Sequence, residues 1–156
     1  MRRKDREVTD IVKIREIIAA CTCCRLGLCD GGKAYIVPLS FGFMEEKGCY
    51  TFYFHSAPEG RKIDILRKTG RAAFEMDTGY ELTEAPKACG WSARYSCVMG
   101  EGPVTLVDTA AEKREGLRVI MAHLTGRDQW DFDEAVLEKT CVFRLEAEEL
   151  TCKVHS

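Results

Sequence analysis

No stretch of this chain approaches the roughly 18 consecutive apolar residues that cross a bilayer as a helix. That excludes a helical membrane span. The opening Met1-Arg2-Arg3-Lys4-Asp5-Arg6 is basic but lacks the apolar segment of a secretion signal, so a cytoplasmic protein is expected. An excess of one charge is also missing. Lys and Arg number 23 and Asp and Glu 25, for a net charge of −2. Such a balance gives no bulk attraction for nucleic acid. There is no internal repeat, no low-complexity tract, no P-loop and no Ser-His-Asp order. Gly100-Glu101-Gly102-Pro103 is a strand bend, not a dinucleotide fingerprint.

Cysteine, by contrast, is abundant. Nine is an odd number, and with no secretion signal it argues against a disulfide framework and for a reducing compartment. The run Cys21-x-Cys23-Cys24-x4-Cys29 invites a metal, which would make the chain a thiol-based sensor or metal module. Its spacing matches neither paired zinc-ribbon knuckles nor ferredoxin runs. The other reading is small thiols packed in a sheet wall. As one strand, Cys21, Cys23 and Cys29 face one side and Cys24 the other. No metal is expected.

The 156 residues suit a single domain, 1–156, with a sizeable core. Thr9 to Ala20 reads as a helix with Ile11, Ile14, Ile17 and Ile18 on one face, capped by Thr9 or Asp10. Cys21–Cys29 reads as a strand, Asp30-Gly31-Gly32-Lys33 as a hairpin turn and Ala34–Met44 as a second strand. Pro38 marks that strand as an edge or a bulge. A third strand, Cys49 to His55, alternates Tyr50, Phe52 and Phe54 against Thr51, Tyr53 and His55. Glu59–Thr69 reads as a short helix stopped by Gly70, and Ala72–Met76 as a fourth strand. Thr78–Ser92 lacks periodicity and is expected to be a long loop. Tyr95–Val107 is a bent strand. Thr109–Leu124 is a helix with a Leu117, Ile120, Met121, Leu124 stripe, which leaves His123 at the surface or boundary. A short helix, Phe132–Leu137, and a last strand, Thr140–Leu145, follow, with His155 in a frayed terminus. Clustered strands with a few helices make the fold class α+β, built on an antiparallel barrel.

One segment is chemically odd. An aromatic strand ends at Phe54-His55-Ser56, a turn follows at Ala57-Pro58-Glu59-Gly60, and a helix then opens on Arg61 and Lys62. Cations are unfavourable at a helix N-terminus, where the backbone is already partly positive. An anion at that corner, most simply a phosphate, would resolve the conflict. Arg61 offers a planar fork of donors, Lys62 a point charge, Ser56 a hydroxyl, and His55 a donor whose charged form a phosphate favours. The competing reading is a capping box, Ser56 as N-cap and Glu59 at N3, with Arg61 and Lys62 merely solvated. Tyr80, Trp91, Arg94 and Tyr95 lie in or beside the expected loop, as a stacking surface or a satellite cluster.

In several pieces the chain resembles the flavin-binding split-barrel superfamily, the pyridoxamine 5′-phosphate oxidase-like proteins, nearest the nitroimidazole-resistance flavoproteins. The pieces are Met1 to Glu7, Tyr35-Ile36-Val37-Pro38-Leu39-Ser40-Phe41-Gly42, Tyr53 to Ala57 joined to Gly60 to Asp64, Phe74-Glu75, and Tyr95-Ser96-Cys97-Val98-Met99-Gly100-Glu101-Gly102, in order over nearly the whole chain. The resemblance implies a six-stranded antiparallel split β-barrel with flanking helices, and a homodimer with one FMN in each of two interface clefts. It implies that the Pro38-Leu39-Ser40 backbone faces the flavin ring, though Pro38 also suits a plain edge strand. It also implies that Phe54, His55, Ser56, Arg61 and Lys62 hold the phosphate and ribityl chain. Tyr95, Ser96, Cys97 and Val98 then approach from the partner subunit, Cys97 either touching flavin or simply packed. Thr78–Trp91 matches no motif of the family. The implied activity passes electrons from a reduced nicotinamide or similar donor to a small acceptor, such as a nitroaromatic; no catalytic side chain is assigned. The alternative is a non-catalytic flavin- or haem-binding protein.

Overall fold

The computed structural model describes residues 3–156. Met1 and Arg2 of the basic arm lie outside them. Within the described residues the arm forms a 3-10 turn, Lys4–Arg6, then strand β1 (Glu7–Val8). Helix α1 (Ile11–Ala20) begins where the Asp10 carboxylate accepts the Val12 and Lys13 amides, and it buries Ile14, Ile17 and Ile18. Strands β2 (Cys24–Asp30), β3 (Lys33–Leu39), β4 (Phe41–Glu46) and β5 (Cys49–Ser56) follow. Then come α2 (Arg61–Thr69), β6 (Arg71–Thr83), β7 (Ser92–Val107) and α3 (Ala110–Thr125). Helix α4 (Glu134–Glu138), β8 (Cys141–Glu146) and β9 (Glu149–His155) close the chain. No helix among the described residues is long and apolar enough to cross a membrane.

All pairings are antiparallel, and the sheet runs β3-β2-β6-β7-β8-β5-β4, with β9 added on β7 and β1 on β9. Strands β3 and β4 stand at opposite ends of that path, yet only Ser40 separates them in the chain. The sheet must therefore curl until its two ends meet, although no ladder among the described residues joins them. The α+β class holds. The sheet has nine strands and stays open, where a six-stranded barrel was expected. Strand β7 makes the curl, pairing with β9 through Tyr95–Glu101 and with β8 through Val104–Val107. Gly100 and Gly102 sit at the changeover, where a Cβ would collide with the Glu149 and Glu146 carbonyls.

Several boundaries differ from the sequence reading for physical reasons. The expected second strand breaks at Ser40, because one strand cannot serve both ends of the sheet. Thr78–Ser92 is not a structureless loop: β6 and β7 continue as a two-stranded arm, with a register shift between Thr78 and Glu81. Cys21 to Cys23 precede the first long strand, so the expected thiol alternation fails. Cys21 and Cys24 are buried, Cys23 is half-buried and Cys29 is exposed. Burial pushes the Cys21 thiol up to about 12. His155 is not frayed but ends β9, with its ring edge-on to Tyr95 at 5.8 Å. On α3 the buried face is Gly116 and Ile120, while Leu124 is 40% exposed.

The core is aromatic. Phe52 is fully buried, with ring centroids 4.8 Å from Phe74, 6.1 Å from Phe41 and 6.3 Å from Tyr50. Helix α3 seats on β4 over Gly42, where a Cβ would meet the Ile120 Cα at 2.6 Å. His123 of α3 donates from Nε2 to the Cys21 carbonyl at 2.7 Å, its ring 4.5 Å from Phe41. Burial lowers its pKa from the ordinary 6.5. The folded state thus prefers neutral imidazole. Its contribution is complete above the unfolded pKa and is lost as pH falls through the lower folded value. The melting temperature of the wild type should fall more steeply between pH 7 and 5 than that of His123→Gln; equal acid slopes would contradict this.

Candidate functional site

The end of β5 lies beside the end of β3, and the start of α2 lies further back along β3, against Tyr35 and the β2–β3 turn. Phe41 pairs with Phe54, so Ser40, one residue earlier, comes level with His55. That register brings Pro38-Leu39-Ser40 beside Phe54-His55-Ser56. Pro38 is on an edge strand, opposite Arg25 of β2, and is exposed; Leu39 is half-buried and Ser40 exposed. On β5, Phe54 points into the core, His55 is exposed, and half-buried Ser56 donates its hydroxyl to the Ala57 carbonyl at 2.7 Å.

The capping-box reading is overturned. Helix α2 starts at Arg61 with Gly60 as N-cap, and no side chain caps it. Asp10, Thr109 and Asp133 cap the other three α-helices with side-chain oxygens. Gly60 has φ +126°, a conformation closed to ordinary side chains, and nothing within 4 Å would meet a Cβ there. The first turn of α2 thus presents backbone donors together with Arg61 and Lys62. Arg61 sends Nε and Nη2 to Asp30 Oδ2 at 3.2 and 3.1 Å, and its guanidinium lies 4.5 Å over the Tyr35 ring. These contacts use two of its five N–H donors and anchor it to the β2–β3 turn. Lys62 makes no ion pair among the described residues.

Cys141 was missed by sequence reasoning. It sits directly opposite Ser56, because β8 pairs with β5 across a long stretch of chain. Burial pushes its thiol up, and Lys113, Arg67 and Lys62 pull it down. The charges of Arg67 and Lys113, also missed, are thus felt at Cys141, across the ladder from Ser56, with Asp108 opposing them. No local motif could reveal them, since two helices, α2 and α3, supply the cations around a thiol on β8.

Tyr95, Ser96, Cys97 and Val98 are not brought to Arg61 and the first turn of α2 within one protomer. They pair with Thr78–Met76 of β6 and with β9, toward the Arg25 end of β2 and away from Asp30. Val98 is fully buried in the core. Lys153 lies 5.1 Å over the Tyr95 ring. Burial raises the half-buried Cys97 thiol, against the Lys153 charge. A cavity of about 730 Å³ lies between α3 and the 129–134 segment, and none of the residues named for the site lines it. Its Arg114 is already paired with Glu134, so that cavity adds nothing to the corner.

A curled antiparallel sheet with an open seam, bordered by an uncapped helix headed by cations, defines a split-barrel protein of the α+β class. The chain belongs to the pyridoxamine 5′-phosphate oxidase family, whose model matches residues 11–154. It is 30% identical to a candidate 5-nitroimidazole antibiotic resistance protein from Bacteroides thetaiotaomicron, over 95% of this chain and 86% of that one, at a TM-score of 0.81. A flavocytochrome from Azotobacter vinelandii is similar at 21% identity, over 100% and 72% of the two chains, with a TM-score of 0.81. An FAD and heme binding protein from Mycobacterium smegmatis is similar at 14% identity, over 97% and 74%, with a TM-score of 0.83. The last two likenesses speak to the fold. No curated protein matches the sequence.

Proposed function

We propose that the chain binds a flavin, FMN, with its phosphate at the β5–α2 corner. The observation that carries this reading is the uncapped first turn of α2, opened by Arg61 and Lys62 after Gly60. The donor set suits a dianion. Lys62, the donors of Arg61 not used by Asp30 and the amides of the first turn all act there, and the field of Arg67 and Lys113 reaches Cys141, across from Ser56. Pro38, Leu39 and Ser40 would offer main-chain groups to the ring from the open edge of β3. Bound flavin would supply reversible electron transfer that no side chain here provides; the protein's part is to bind, orient and shield it.

The working unit in this reading is a homodimer in which Tyr95, Ser96 and Cys97 approach from the second copy. Two features support it. Those residues do not reach Arg61 and the first turn of α2 within one protomer, and the outer sheet face exposes Ile36 at 65% and Met99 at 45%. A shallow groove of about 500 Å³ lined by Gly27, Ala34, Ile36 and Ala73 lies on the same face.

The activity supported is transfer of electrons from a reduced nicotinamide to a small acceptor, with a nitroaromatic suggested by the Bacteroides relative. Under anaerobic conditions NADH or NADPH should bleach the flavin bands of the loaded protein, and a nitroaromatic should restore them. Bleaching without reoxidation by any acceptor would favour a carrier. A Soret band in the protein as purified would favour haem, the second reading, which rests on the flavocytochrome and heme-binding relatives.

A further inference from the structure

The β6–β7 arm is the part of the molecule that the cofactor reading leaves unused. Beyond Thr78 the two strands pair only with each other: Glu81 with Arg94, Leu82 with Ala93 and Thr83 with Ser92. A free two-stranded ribbon is marginal in water, so its side chains need a purpose for their exposure. Its two faces differ. On one, Arg94 and Glu81 form an ion pair at 2.7 Å, which holds the register. Strand alternation puts Tyr80 and Leu82 on the other face, with Ala93 and Tyr95 across from them. Tyr80 is 66% exposed, Leu82 56%, and Trp91, at the mouth of β7, 46%. The apolar face of the arm therefore leads to Tyr95, which Lys153 overlies, and on to half-buried Cys97 opposite Asp77, two of the candidate cofactor residues. Between the arm tip and Cys97 lies a bulge at Gly79, φ +66°, with nothing within 4 Å of a Cβ there. Bulges bend a strand and re-aim its side chains beside sites.

We propose that the arm is the acceptor-selecting wall of the cofactor cleft, Tyr80, Leu82 and Trp91 forming a platform for a flat, uncharged aromatic molecule. The inference rests on the proposed function for its location and its acceptor class and goes beyond it in naming the residues that select the acceptor. An aromatic ring laid on this face gains stacking and apolar contact that a small acceptor such as dioxygen cannot use. The arm should discriminate between acceptors without contributing to flavin retention.

The test uses the full chain in a Trp130→Phe background, which leaves Trp91 as the only indole. Titration with 4-nitrobenzamide should quench Trp91 fluorescence saturably. Leu82→Asp and Tyr80→Ala should each weaken that binding at least tenfold, while flavin content, sedimentation and melting temperature stay unchanged. On the loaded protein they should raise KM for the nitroaromatic by a similar factor and leave reoxidation by dioxygen unaltered. Linear, non-saturating quenching would overturn the proposal. So would conversion of a dimer to monomer by Leu82→Asp, because the face would then be covered by a second copy. If the wild type retains no flavin yet binds the probe saturably on Trp91, the aromatic platform stands and the cofactor reading falls.

Discussion

Replacing Arg61 and Lys62 together by alanine should weaken FMN binding by at least an order of magnitude and leave riboflavin binding nearly unchanged. The difference between the two ligands is the phosphate, so the pair isolates the corner. Hydrogen bonds to charged groups contribute roughly 1.5–3 kcal/mol each. Each 1.4 kcal/mol is about tenfold in affinity, so even one lost contact meets the threshold. The substitution should not unfold the protein. Arg61 is exposed, and its ion pair with Asp30 is of the surface kind that contributes at most about 1 kcal/mol. Flavin fluorescence titrations of wild type and variant with both ligands give the comparison. Equal FMN affinity in the two proteins would contradict the phosphate assignment.

Phe52→Ala should lower the melting temperature by on the order of 10 °C. The ring is fully buried and is packed against Phe41, Phe74 and Tyr50 at the centre of the curled sheet. Large-to-alanine changes at such aromatic positions cost about 3–5 kcal/mol, through lost transfer free energy and the cavity left behind. For a domain of this size each kcal/mol shifts melting by roughly 2–4 °C. The effect reaches function, because Phe52 is on β5, the strand that ends at His55 and Ser56. Flavin retention should therefore fall at temperatures where the wild type still holds it. A thermal melt followed by near-UV circular dichroism measures the shift. A change of only a degree or two would mean the core re-collapses around the gap.

Local chemistry was legible wherever neighbours in sequence decide the outcome. The alternation of Tyr50, Phe52 and Phe54 and the turn at Gly31-Gly32 stand as read, and of the two cap candidates, Thr9 and Asp10, the helix uses Asp10. Pro38 on an edge strand follows from its missing N–H. What failed depended on distant partners. The arm beyond Thr78 looked irregular because a ribbon with one polar and one exposed apolar face has no buried side to impose a clean period. The C-terminal strand β9 was missed because Glu149–His155 alternates weakly, being half-buried against β7. The α3 stripe holds at Ile120, with Leu117 and Met121 half-buried, and fails at Leu124, where Gly42 lets the helix backbone itself sit against β4 further up the helix. The candidate site was half legible. Arg61 and Lys62 were singled out by their clash with the helix dipole. Cys141, Arg67 and Lys113 were invisible, since only the β5–β8 ladder sets Cys141 opposite Ser56 and only the packing of two helices brings Arg67 and Lys113 to bear on it.

A crystal grown with excess FMN tests the central claim most directly. The account predicts phosphate density within hydrogen-bonding distance of Arg61, Lys62 and the first amides of α2. Flavin bound with its phosphate elsewhere, or a corner holding solvent alone, would contradict it.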